Sequence, residues 1–148
     1  MATQSVASAP APSLTRNVTP DDDERRAIYQ AYIDHCNAHN FKAMEAFYTS
    51  PINVNNEPWT PAQVTAQFQP LVDAFPDWHW DVQHMTIDGD YLSLHFEVYG
   101  THMGTFQGIA PTGRRIKTTQ FTLYHLNGDK YDNVWDLTDF DAIVKQIS

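Results

Sequence analysis

The sequence predicts an α+β domain in which helices come first, an antiparallel sheet follows, and the helices pack on one face of that sheet. Three observations carry this reading. Apolar residues recur at helical spacing as far as Phe75. From Trp78 onward the chain alternates with a period of two, and "DGD" at Asp88–Asp90 and "NGD" at Asn127–Asp129 mark hairpin turns between the alternating runs. At 148 residues and 42% hydrophobic content the chain is long enough for one domain with its own core.

In chain order, residues 1–19 read as a disordered tail and 20–148 as the single domain. The tail has no acidic residue and no apolar stretch, and its one charged residue is Arg16; a transit peptide is the alternative to a plain tail. The cytoplasm is the default location. "TPDDDERRAIYQAYIDHCNAH" reads as the first helix, with Thr19 as N-cap and Pro20 at the first helical position. Asp21, Asp22, Asp23 and Glu24 then sit where the helix dipole favours negative charge. Ile28, Ala31, Tyr32, His35 and Cys36 mark its inner stripe, to about His39. "FKAMEAFY" reads as a short second helix with Phe41, Met44, Phe47 and Tyr48 inward. Thr60 and Gln63 of "TPAQ" form a capping box before a third helix carrying Val64, Phe68, Leu71, Val72 and Phe75, which Pro70 kinks midway. Four strands follow, in "WHWDVQHMTI", "YLSLHFEVYGTH", "IKTTQFTLYHL" and "YDNVWDLTDF", with "GTFQGIAPTGRR" as a loop and "DAIVKQI" as a last helix.

Several function classes are disfavoured. A net charge of −9 repels nucleic acid phosphates and anionic membranes, so neither is expected as a partner. One cysteine, Cys36, permits no internal disulfide, and no apolar run reaches membrane-spanning length. His35 and His39 stand at i, i+4 but no E-x-x-H accompanies them; they fit a helix end, where a cation is favoured, and no metal site is expected. "GIAPTGRR" lacks the G-K-[ST] of a phosphate loop, and Arg114 and Arg115 read as a solvated rim.

The chemistry points to the last strand. Alternation in "KYDNVWDLTDF" puts Asp132, Val134 and Asp136 on one side and Tyr131, Trp135 and Leu137 mostly on the other. Gln120, Thr122 and Tyr124 of the preceding strand share the parity that excludes Phe121 and Leu123. Either the face holding Asp136 is wet, or the carboxylate is kept there for chemistry.

The stretches "FPDWHWDV", "IDGDYLSLHFEVYGTHMGTFQGIAPTGRRI" and "LNGDKYDNVWDLTDFDAIVKQ" cover most of Phe75 to Gln146. They resemble the SnoaL-like polyketide cyclases of the NTF2-like superfamily; the segment before them matches only in helix order. The resemblance implies an NTF2-like cone, a curved antiparallel sheet packed with N-terminal helices around a ligand cavity. It also implies a homodimer through the outer face of the sheet, where Phe121, Leu123, Trp135 and Leu137 would form an apolar patch. Asp136 falls at the position of the family's general acid/base, which moves a proton in an intramolecular aldol closure without a cofactor. Gln120, Thr122, Tyr124, Phe96 and Val134 would line the cavity, with Asp139 in support or capping the last helix. His102 would polarise or exchange a proton with a substrate oxygen, or be a satisfied core histidine. Asn55 would bind a substrate carbonyl or simply serve a turn. Trp59, with Trp78 and Trp80, would line the mouth or pack the core. Thr122 stands where the best-known cyclases carry histidine, which leaves the second proton donor open among His102, Tyr124 and a water held by Gln120.

The expected function is a cofactor-independent cyclase or isomerase acting on a polyketide- or terpenoid-type intermediate of secondary metabolism. The alternatives are a dehydratase, lactone isomerase or epoxide hydrolase in the same cavity, or a non-catalytic ligand-binding or dimerisation module.

Overall fold

The computed structural model describes residues 20–148. The expected N-cap Thr19 and the expected tail lie outside the described residues. The first helix, α1 (Asp22–Asn37), starts two residues later than the sequence suggests. Asp21 caps it: its carboxylate accepts from Glu24 N–H at 2.9 Å, while Glu24 reaches back to Asp21 N–H at 3.4 Å. The buried stripe is Arg25, Tyr29, Tyr32, Ile33 and Cys36, rotated by about a residue from the stripe expected on Ile28 and Ala31. That rotation brings Tyr29 inside. Arg25 pairs with Asp22 of its own helix and ties that helix to the β-hairpin turn through Asp90, each at 3.0 Å.

Next come α2 (Phe41–Met44) and a 3₁₀ turn (Glu45–Phe47). Two strands that the sequence reading missed follow: β1 (Tyr48–Val54) and β2 (Glu57–Trp59), joined at Asn55 and Asn56. Both turn residues have positive φ, 49° and 73°, the left-handed conformation that asparagine tolerates best among side-chain-bearing residues. The Pro70 kink takes the form of a break at Gln67 between α3 (Pro61–Ala66) and α4 (Phe68–Ala74). The expected Thr60–Gln63 capping box is present at 3.1 and 2.8 Å.

The remaining elements are β3 (His79–Asp88), β4 (Tyr91–Thr101), β5 (Arg115–Asn127), β6 (Lys130–Thr138) and α5 (Phe140–Ile147). They complete a curved six-stranded sheet of order β2-β1-β6-β5-β4-β3 that does not close into a barrel. One pairing is parallel, β1 with β6, where the sequence suggested only antiparallel neighbours. The helices cover the concave face. Their apolar stripes meet Leu92, Leu94, Phe96, Val98 and Ile116 in one buried core.

Register decides what faces inward. Across β5 and β6, Thr122 lies opposite Asp136 and Tyr124 opposite Val134, facing the core. Phe121 pairs with Leu137 and Leu123 with Trp135 on the convex face, where Phe121 is 57% and Leu137 76% exposed. A bulge between His125 and Leu126 leaves Asp132 without an opposite residue and reverses the parity beyond it. Tyr131 is therefore fully buried, contrary to the simple alternation, and Asp132 accepts from His125 Nδ1–H at 2.7 Å instead of sharing the face of Asp136.

Candidate active site

Two cavities meet at Asp136. An inner chamber of about 40 Å³ lies under α1, with Tyr29, Tyr32, Tyr48 and Tyr124 in its walls beside Gln120 and Thr122. An open vestibule of about 590 Å³ spreads between α3–α4, the 105–107 segment, the end of β6 and the start of α5. Gln67, Phe68, Trp80, Gln120 and Asp136 line both and form the neck between them. The interior is thus filled more than a hollow cone implies, and room for a guest lies in the vestibule. Its volume falls in the range of about 300–1,000 Å³ usual for small-molecule sites.

Asp136 is half-buried, and desolvation raises its pKa above the ordinary carboxylate value. Asn55 partly offsets this. Its Nδ2–H donates to Asp136 Oδ1 at 3.3 Å, and its Oδ1 accepts from Asp136 N–H at 3.0 Å. Asn55 serves the turn, and its left-handed backbone aims the side-chain amide at the carboxylate. Asn55 N–H also donates to Val134 C=O at 2.9 Å, which fixes the turn against β6.

Opposite this pair, Trp80 Nε1–H donates to Gln120 Oε1 at 3.0 Å, and Gln120 Nε2–H donates to Thr122 Oγ1 at 3.0 Å. Phe96 and Val134 supply apolar wall to the chamber, as expected. The vestibule adds aromatic surface from Phe68, Trp78, Phe106 and Phe140, with Gln107 at its rim. Asp136 is the one acid among the described residues lining either cavity, and none of those residues is Lys or Arg.

Three expected site residues lie elsewhere. His102 is fully buried, but its Nδ1 is engaged with Thr112 of the following loop, at 2.9 Å from Oγ1 and 3.2 Å from the backbone nitrogen, and its ring packs on Phe75. It anchors the loop after β4 and lines neither cavity. Trp59 packs against the core from the edge strand β2, also away from both. Asp139 caps α5, accepting from Ala142 N–H at 3.0 Å, because the strand has already ended there.

Of the tyrosine wall, Tyr32, Tyr48 and Tyr124 were expected inward, whereas Tyr29 went unread. Tyr29 and Tyr124 hydroxyls stand 3.4 Å apart, and those of Tyr32 and Tyr48 2.6 Å apart. Burial pushes all four far above the usual phenol pKa. The spacing of Tyr29, Tyr32, Ile33 and Cys36 at i, i+3, i+4 and i+7 was the available signal. Cys36 is buried beside them, with its thiol pushed up to about 12 by burial, so it is no nucleophile at neutral pH. No group of three or more metal-ligating side chains occurs among the described residues, and no helix among them is long and apolar enough to cross a membrane.

Comparison with other proteins agrees with this architecture. The fold matches a SnoaL-like polyketide cyclase from Agrobacterium tumefaciens with a TM-score of 0.72 at 22% identity, over 83% of this chain and 97% of that one. AclR from Streptomyces galilaeus, provisionally described as a hydroxylase, superimposes with a TM-score of 0.77 at 20% identity, over 86% and 97%. TsrD from Streptomyces laurentii gives 0.78 at 14% identity, over 87% and 98%. At such identities these likenesses speak for the fold alone. No curated protein matches the chain in sequence. The sequence model of SnoaL-like polyketide cyclases, however, matches residues 26–147, which takes in every strand and nearly all of every helix, and the chain therefore belongs to the SnoaL-like polyketide cyclase family.

Proposed function

We propose that the protein is a cofactor-independent cyclase or isomerase of a neutral polyketide- or terpenoid-type intermediate, with Asp136 as the proton-transfer group. The observation that carries this is the setting of Asp136. A half-buried carboxylate of raised pKa stands at the neck of a ligand-sized vestibule, steadied by Asn55 and facing the Gln120–Thr122 pair.

Loss of a proton from carbon beside a carbonyl requires a base of moderate strength, and desolvation supplies it here by disfavouring the charged form. Gln120 is held by Trp80 with one amide N–H spent on Thr122, which leaves its second N–H for a substrate or enolate oxygen. The aromatic walls suit a flat, oxygenated carbon skeleton, and holding its two reacting carbons together provides much of the acceleration. The absence of a cation among the described lining residues argues for an uncharged guest.

The test is turnover of a panel of neutral polycarbonyl intermediates, followed by mass spectrometry, with the parent and with Asp136→Asn. The variant is expected to bind the same compounds and to lose activity by roughly 10²–10⁴-fold. Undiminished conversion by the variant would remove Asp136 from the chemistry. The same proposal includes a homodimer through the convex face, supported by the exposed, mutually paired Phe121 and Leu137.

A further inference from the structure

A ring closure moves two protons: one leaves carbon, and one reaches the new hydroxyl. Among the described residues Asp136 is the single acid on the cavity walls, His102 lines neither cavity, and burial holds the wall tyrosines protonated far beyond neutral pH. The second carrier must come from elsewhere.

Hydrogen bonding into the inner chamber runs in one direction. Trp80 Nε1–H can only donate, so Gln120 must turn its carbonyl oxygen to the indole and its amide nitrogen to Thr122. Thr122 Oγ1 is thereby used as an acceptor, and its own O–H is left to donate into the chamber. Thr122 lies directly opposite Asp136 across β5 and β6, yet among the described residues neither side chain bonds the other directly. Both line the same space of about 40 Å³. A space of that size is too small for a polyketide but suits a water or two, which need about two to four polar partners each.

We propose that the inner chamber is a water site, and that a water fixed there between Thr122 and Asp136 is the second proton carrier of the reaction. The inference rests on the reading of Asp136 as the base. The water accepts from Thr122 O–H and donates to the Asp136 carboxylate, completing a chain from Trp80 through Gln120. In the closure, Asp136 takes the proton from carbon, and the C–H electron pair forms the new bond to a carbonyl carbon. The π pair of that carbonyl becomes an alkoxide lone pair. The water gives a proton to the alkoxide as Asp136 returns its own to the water, so both are restored and nothing is consumed.

The experiment is a set of high-resolution crystal structures of the parent, Thr122→Val, Thr122→Ser and Asp136→Asn, with the parent also pressurised with xenon. A water within about 3.2 Å of both Thr122 Oγ1 and Asp136 is expected in the parent. It should persist in Thr122→Ser, which keeps the hydroxyl, and vanish in Thr122→Val, whose turnover should fall by about tenfold with KM unchanged. A chamber that takes xenon, or a water that stays fixed in Thr122→Val, overturns the proposal. In Asp136→Asn the amide oxygen still accepts, so the water should remain while turnover collapses. Retained turnover there overturns the base and the carrier together, whereas a dry chamber in the parent overturns the carrier alone.

Discussion

At the scale of single residues, the carboxylate of Asp136, proposed as the proton-transfer group, costs the fold stability. Burial raises its pKa above the value it has in the unfolded chain, so the folded state holds the proton more tightly. The associated stability is present below the unfolded pKa and is lost as pH rises through the folded one. At neutral pH the ionised group is a burden on the fold. Asp136→Asn should accordingly melt at the same or a higher temperature than the parent at pH 7, with the gap shrinking in acid below the ordinary carboxylate range. Thermal melts at the two pH values check this beside the activity loss. Asn55 acts in the opposite sense, since its hydrogen bond favours the charged form. Asn55→Gly keeps the left-handed turn and removes that bond, so the acid limb of the pH–activity profile should move to higher pH. The inward aim of Asp136 was legible because β5 and β6 alternate regularly on that side of their bulge. Its bond to Asn55 was not, because nothing local in "INVNNEPW" says which distant strand the turn will face. The surroundings of His102 were illegible for a related reason. Parity put it inside correctly, but inside here means under the loop bearing Thr112, away from the neck.

At the scale of elements, the strands with strong alternation and turn signals were readable, and the short ones were not. β1 carries Pro51, which cannot donate to a ladder, and β2 is three residues long, so neither has the alternating run that identifies a strand. Their pairing comes from tertiary context, the parallel contact with β6. The first helix was legible as a helix, but its inner stripe was misplaced because tyrosines with polar tips fill the positions facing the chamber. Asp139 belongs at this scale too. As the N-cap of α5 it should contribute about 1 kcal/mol, and Asp139→Ala should lower stability by roughly that amount in denaturant melts while leaving KM and kcat essentially unchanged. A large rise in KM would return it to the substrate.

At the scale of the whole molecule, the convex face stands out. Phe121, Leu123, Trp135 and Leu137 lie side by side on the outside of a sheet whose other face is already covered. Proposed as the seat of a second copy, this face gives a definite expectation: the parent should scatter light as a dimer at micromolar concentration, and Leu137→Lys should shift it to monomer. A monomeric parent would remove the assembly from the proposal without touching the site. The α+β class and the order of elements from Pro61 onward were legible in the sequence because hydrophobic period and turn residues agree along most of the chain.

The bond between Asn55 and Asp136 spans 81 positions along the chain. Long loops close late and slowly, since their entropy must be surrendered before any contact rewards it. The Asn55–Asp136 pair therefore cannot exist in a half-made molecule: it comes together when the turn after β1 finds the last strand. A nascent or partly opened chain carries an unsupported aspartate like any other.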